Sequence, residues 1–436
     1  MSELRLRFTG PIAELAGADR RALLDRSVSP DDAVSVTTEA IIDLVRRDGD
    51  PALISLAREF DKAKLASLEV PRERWREALD ELPEPLRSAM ERAAANLVTA
   101  HRASIPTASE VVIEPGVVVG RRPDPLRRVG VYAPGGRAAY PSSVLMGVIP
   151  ARVAGVEEVI VCSPPDPSGL PSAVVLAAAE LANADRVFAV GGAGAIAALA
   201  YGTESIPRVD RIVGPGNAYV AEAKLRVAGA CAIDAPAGPS ELLVIADEGA
   251  DPAGVAREML AQAEHDPRAC VVALAVGEGL ADSIVAALRA ALPGQARQSI
   301  VRDALQTRGG VLSADSLSEA VDLSNDFAPE HLLLVVDDPR DLLADVRNTG
   351  TVFLGETSSV AFGDYMTGAN HVLPTGGLAR SYSGLSTLDF VRWTTYQSID
   401  RTAAARLGDA VGVFADAEGL PGHADAARAW SHEELS

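Results

Sequence analysis

The chain has 436 residues, 48% of them hydrophobic but only 4% aromatic, so it carries an aliphatic core large enough for several domains. Its formal net charge of −20 and the lack of any basic block argue against nucleic acid or an anionic membrane as partner. No uncharged apolar run reaches the roughly 18–20 residues that span a bilayer, no apolar leader is visible in MSELRLRFTGPIAELAG, and Cys162, Cys231 and Cys270 form no CxxC pair; a cytoplasmic protein without disulfides or a thiolate zinc site is expected.

Residues 30–101 read as helical. Trp75, Leu79, Leu82, Leu86, Met90 and Leu97 recur at three-to-four-residue spacing, which predicts one apolar stripe facing the core. Near residue 110 the period changes, and VVIEPGVVVGRRPDP reads as a hairpin or strand pair. From 129 to 246 short β-branched strands (RVGVYAP, EEVIVCSPP, RVFAV, RIVG) alternate with Ala-rich helices, the pattern of a parallel sheet with crossover helices. Such sheets bind ligands at the carboxyl ends of their strands, and PGG, VGGAG, GPGN and AGPS are expected there. A second α/β stretch runs from 247 to about 345. A Gly-rich segment and a less regular tail follow.

VGGAGAIA supplies Gly192, Gly194 and Ala197 after the strand RVFAV, with Asp210 further on; this is a loose dinucleotide-type spacing. A tight turn at a helix N-terminus lets backbone N–H groups meet a pyrophosphate, although glycines between any strand and packed helix give the same string. In GPGN, Asn217 adds an amide that suits a ribose or ring, and Tyr132 ends a strand in the same predicted crevice.

Four of the six histidines stand in the C-terminal half beside acids or amides, whereas His101 and His432 read as solvated residues at a helix end and in the polar tail. Gln262, His265, Asp364 and His423 are an N/O donor set of the kind zinc accepts. Gln262 and His265 stand three apart on a predicted helix and so share a face, but Asp364 and His423 are far off in sequence. From the residues alone, a metal site and a set of surface or capping residues both remain open. Glu330–His331, between Pro329 and the apolar run LLLVV, joins a carboxyl able to polarise water to an imidazole able to take a proton. The alternative is a turn acid beside a histidine packed on a strand.

In order along the chain, VGVYAPGG, VGGAGAIAALAYGT, GPGNAYVAEAK, IDAPAGPSELLVIAD, AQAEHD, PEHL, GDYMTGANHVLPTGG and LPGH resemble the histidinol dehydrogenase family from about residue 35 to 430. The resemblance implies an α/β fold of two Rossmann-like parallel-sheet domains with helical N-terminal and C-terminal segments. The implied division is an arm at 1–34, a first α/β domain from 35–130 and 236–380, a second at 131–235, and a tail at 381–436 that serves the dimer. It also implies a zinc-dependent, four-electron oxidation of L-histidinol to L-histidine through L-histidinal with two NAD, the last step of histidine biosynthesis.

By the same resemblance Gln262, His265, Asp364 and His423 ligate one zinc per subunit, and Glu330 and His331 are the catalytic pair. Ser240, Gln262, His265, His331, Asp364, Glu418 and His423 contact substrate, while Tyr132, Gly194 and Asn217 lie at the NAD site. Glu418 and His423 are expected to complete the partner's site in a homodimer. Gly194 departs from the Gln usual in the family, which puts cofactor affinity in question. A paralogous dehydrogenase acting on another alcohol such as a sulfonated diol, a zinc hydrolase, and a non-catalytic nucleotide-binding subunit are the competing readings.

Overall fold

The structure, a computed structural model, describes residues 4–26, 32–135 and 139–431. Among these the strands in chain order are β1 (Phe8–Pro11), β2 (Ser109–Glu114), β3 (Val117–Pro125), β4 (Arg128–Tyr132), β5 (Glu158–Ser163), β6 (Arg186–Ala189) and β7 (Arg211–Val213). The later ones are β8 (Ala232–Ile233), β9 (Glu241–Ala246), β10 (Cys270–Val276), β11 (Gly310–Ala314), β12 (His331–Val335), β13 (Thr351–Leu354) and β14 (Val391–Ile399). The chain divides into two compact units, Met1–Ser104 with Arg127–Phe390, and Ile105–Leu126 with Val391–Ser436.

The larger unit holds two parallel sheets, as the alternation of strands and Ala-rich helices predicts. One has the order β6-β5-β4-β7-β8, the other β1-β11-β10-β9-β12-β13. In β9 the successive residues Leu242 and Val244 enter one apolar cluster, and Leu243 and Ile245 enter the opposite one. Both faces are therefore covered, which is why this strand reads as an unbroken apolar run rather than an alternating one. Full burial of each such side chain stabilises the fold by roughly 1.5–3 kcal/mol. The N-terminal arm takes part in this sheet: β1 pairs with β11, Phe8 opposite Gly310.

The single stripe expected over 75–97 is divided between two helices, Arg72–Asp80 and Glu84–Arg102. Pro83 ends the run, because it lacks an N–H and disfavours helical geometry in the residue before it. Trp75, Met90 and Leu97 are buried as expected, but Leu86 is exposed at the start of the second helix. His101 is the other correction. It does lie in the last turn of that helix, yet it is 6% exposed with no partner for Nε2, so it is a core residue rather than a solvated one. His432 falls outside the described residues.

In the smaller unit the antiparallel sheet β14-β3-β2 contains the hairpin expected near residue 110. Two helices follow, Arg401–Ala417, capped by Asp400 through the N–H of Ala403, and Pro421–Ser431. No described helix is long and apolar enough to cross a membrane.

Candidate active site

The amino ends of β9 and β12 lie side by side, with His331 in register with Leu242. The helix Leu317–Phe327 leads here and stops at Ala328, whose φ of 54° is left-handed; Pro329 then prevents the helix from continuing. The chain turns directly into β12, so Glu330 and His331 arrive together at its mouth. Gly350 lets β13 approach, because a Cβ there would stand 2.6 Å from the carbonyl oxygen of Glu330.

Both side chains are buried, Glu330 6% and His331 3% exposed. Glu330 Oε2 accepts the backbone N–H of Glu241 at 2.7 Å, and His331 Nδ1 lies 2.9 Å from the carbonyl oxygen of Glu241. A carbonyl only accepts, so Nδ1 carries the proton and Nε2 is the nitrogen left to react. That Nε2 faces Asp364 Oδ1 at 3.7 Å, and Glu330 Oε2 stands 3.5 Å from Nδ1. Burial pushes the Glu330 carboxyl up to about 8, against the charge of His331. Burial opposes protonation of His331, but the charges of Glu330 and Asp364 outweigh it and raise the imidazole to about 9.

Around Asp364 the other donors gather. His265 and His371 both feel its charge and that of His331, and burial holds both imidazoles below their ordinary value. Asp364 is held low: burial opposes this, but the nearby charge of His331 prevails, aided by His371 and His265. Neutral imidazoles beside an ionised carboxylate are the protonation states a cation requires. Gln262 is 3% exposed and its Nε2 has no partner, so the buried amide is not fixed by the protein and its Oε1 is the atom that a cation would take. Among the described residues no group of three or more His, Cys, Asp and Glu side chains is placed to hold a metal ion. A set built from one imidazole, one carboxylate and one amide contributes only two such side chains, and its chemistry fits a divalent ion that takes a further ligand from elsewhere.

Gln262 and His265 do not share a helix face. The helix Pro252–Ala263 ends between them, and His265 follows in the turn, its N–H donating to the carbonyl of Gln262 at 3.3 Å. Ser240 precedes β9, its carbonyl accepting the N–H of Cys270. Glu418 and His423 belong to the smaller unit, at the end of the helix Arg401–Ala417 and in Pro421–Ser431, and both are exposed.

The nucleotide-type loops lie at the carboxyl edge of the other sheet. Tyr132 ends β4, and its hydroxyl oxygen accepts the N–H of Gly192 at 3.1 Å; burial pushes the phenol up to about 12, so it remains protonated. Gly192 has φ +61°, opens the helix Gly192–Tyr201, and a Cβ there would meet nothing within 4 Å. Backbone at a helix N-terminus thus faces open space, the kind of cradle a pyrophosphate takes. Asn217 Oδ1 caps the helix Ala218–Val227 through the N–H groups of Tyr219 and Val220, which leaves its amide N–H groups for a ligand. Gly194 is buried in its helix, where a Cβ would come within 3.1 Å of Leu56 and 3.3 Å of Leu53.

Two motif expectations are corrected by this topology. Asp210 Oδ2 accepts the N–H groups of Arg127 and Arg128, at the amino ends of β4 and β7, so it stands at the edge opposite the loops and cannot hold their ribose. AGPS is not at a carboxyl edge: it directly precedes the amino end of β9, in the segment that joins β8 of one sheet to β9 of the other. Gly238 in this linker donates to Thr375 Oγ1, and Asn370, beside His371, donates to the carbonyl of Met146 in the helix Pro141–Ala154. Three residues that sequence reasoning did not place also belong here. His371 hydrogen-bonds the carbonyl of Asp364 at 3.1 Å through Nδ1 and lines the same small cleft as His331, Phe353 and Asp364. Its string GDYMTGANH offered the signal. Glu241 and Arg26 support the pair from behind and carried no sequence signal.

The family model described as histidinol dehydrogenase matches residues 24–430. A histidinol dehydrogenase of Halobacterium salinarum is 50% identical over 414 residues, covering 95% of this chain and 96% of the relative. One from Methanosarcina mazei is 46% identical over 419 residues, 96% of each. The crystal structure of histidinol dehydrogenase from Elizabethkingia anophelis superposes with a TM-score of 0.93 at 33% identity, covering 99% of both chains. The chain belongs to the histidinol dehydrogenase family of NAD-dependent oxidoreductases.

Proposed function

We propose that this protein oxidises L-histidinol to L-histidine through L-histidinal, with zinc and two NAD. The observation that carries the reading is the orientation of His331: Nδ1 is tied to the Glu241 carbonyl and Nε2 is presented beside Asp364. Gln262, His265 and Asp364 would hold zinc, with His423 from a second copy of the chain, and the ion, when bound, supplies a template for an imidazole and an amine. Tyr132, Asn217 and the backbone at Gly192 and Gly194 would hold NAD, which accepts one hydride per bound molecule.

In this reading His331 Nε2 takes the hydroxyl proton of the alcohol as hydride leaves the adjacent carbon. An aldehyde has no second hydride to give until water adds to it. Glu330 takes a proton from that water, and His331 then serves as base again for the second oxidation. Ser240, Asp364 and Glu418 from the second copy orient a cationic substrate, which the acidic surroundings favour. The burial of both bases excludes bulk water, so a reactive amino aldehyde is kept in place between steps.

A substrate panel tests the assignment. Purified protein with zinc and NAD is expected to turn over histidinol and to leave a sulfonated diol untouched; the reverse preference would assign it to a paralogous alcohol dehydrogenase.

A further inference from the structure

Glu241 touches both members of the pair through three separate groups. Its N–H donates to Glu330 Oε2 at 2.7 Å, its carbonyl accepts from His331 Nδ1 at 2.9 Å, and its carboxylate accepts the N–H of Glu330 at 3.4 Å. The same carboxylate also accepts the N–H of Gly376 at 2.9 Å. Glu241 and Glu330 therefore grip each other reciprocally, backbone to side chain in both directions.

The Glu241 carboxylate is itself held by Arg26, whose Nε lies 2.8 Å from Oε1 and whose Nη2 lies 3.2 Å from Oε2. Both side chains are almost fully buried, 1% and 3% exposed. Arg26 is fixed in turn by the Phe327 carbonyl at 2.6 Å, by the carbonyls of Leu23 and Leu24, and by the Phe327 ring, 3.4 Å from the guanidinium carbon. Phe327 ends the helix that delivers Glu330, so one guanidinium ties that helix end to the carboxylate that fixes the Glu330 backbone. A buried ion pair is a weak source of stability, because desolvation offsets most of the attraction. Two parallel charge-assisted bonds do, however, set a geometry closely.

We infer that the Arg26–Glu241 pair is a positioning device for Glu330, holding its carboxyl group where water adds to the aldehyde. The inference rests on the reading of Glu330 as the group that activates water. Arg26 touches no substrate in this scheme; it acts through Glu241.

The test uses full-length, zinc-loaded enzyme and one substrate, the amino aldehyde, run in two directions. Oxidation with NAD needs the added water, whereas reduction with NADH does not. Arg26→Met is expected to lower kcat for oxidation by about tenfold to a hundredfold, the scale of a small misplacement of a reacting group. It should change the reduction less than about threefold and leave the aldehyde KM within about twofold, while Arg26→Lys, which keeps the charge, recovers part of the lost rate. Glu241→Gln, which keeps the size but not the charge, is expected to show the same selective loss and carries the test should Arg26→Met fail to fold. Equal losses in both directions, or a Lys variant as impaired as the Met variant, would overturn the inference. Glu330→Gln is the reference. If it is selective while Arg26→Met and Glu241→Gln are not, the positioning role fails alone; if it loses both directions equally, the reading of Glu330 fails and takes the inference with it.

Discussion

His331 donates from Nδ1 to the carbonyl oxygen of Glu241 at 2.9 Å, and this one bond decides which face of the imidazole does chemistry. The acceptor is backbone in a central strand, so the ring cannot exchange its tautomer without losing a buried hydrogen bond. His331→Asn is expected to slow the alcohol and aldehyde oxidations together, by about 10²–10⁴ in kcat. Steady-state rates on each substrate check this; loss confined to one half would reassign the base.

The pH profile follows from the two raised groups. A base must be unprotonated to act, and Glu330 lies at about 8 and His331 at about 9. Activity is therefore expected to climb with pH through neutrality and to be still rising at 9, levelling only above it, because each proton lost converts an inactive acid into a working base. A profile already flat at pH 6.5, the ordinary histidine value, would contradict the assigned protonation states.

Metal content separates the donor set from mere packing. Chelation is expected to abolish histidinol binding, measured by calorimetry, and His265→Ala and Gln262→Ala to reduce bound zinc well below one per chain. Removing one ligand or its support commonly weakens metal affinity at least about 10- to 100-fold. Retention of stoichiometric zinc in both variants would exclude these residues as ligands.

Asn217 joins a structural task to a proposed binding one, and one substitution divides them. Asn217→Asp keeps the oxygen that caps the helix Ala218–Val227, so Tm is expected to hold; Asn217→Ala should cost about 0.5–2 kcal/mol. Both lose the amide N–H groups and should raise the KM for NAD. An unchanged KM in the Asp variant would leave Asn217 as a cap alone.

At position 194 the neighbours decide the outcome. Leu53 and Leu56 already occupy the space a Cβ would enter, so Gly194→Gln is expected to destabilise the protein by about 1–3 kcal/mol through overpacking. It should not lower the KM for NAD. A tighter cofactor complex with no loss of Tm would show that the leucines yield.

The strands and helices were legible because buried parallel strands leave apolar runs and covering helices leave Ala-rich ones, as in RVGVYAP and GAGAIAALAYG. Glu330–His331 was legible as chemistry, since acid and imidazole are adjacent between a proline and an apolar strand. What failed needed the third dimension. Asp210 stands at a fitting distance along the chain but on the wrong edge of the sheet. The helix carrying Gln262 stops two residues before His265, a boundary that periodicity does not mark. His101 looked solvated because a helix end usually is, yet packing covers this one. Arg26 and Glu241 lie 215 positions apart, and nothing local in either string announces their pairing.

Counting NADH formed per histidinol consumed tests the proposed reaction most directly. Two NADH with histidine as product are expected, because the paired bases carry both the alcohol and the hydrated aldehyde through oxidation. One NADH with aldehyde released, or none at all, would contradict it.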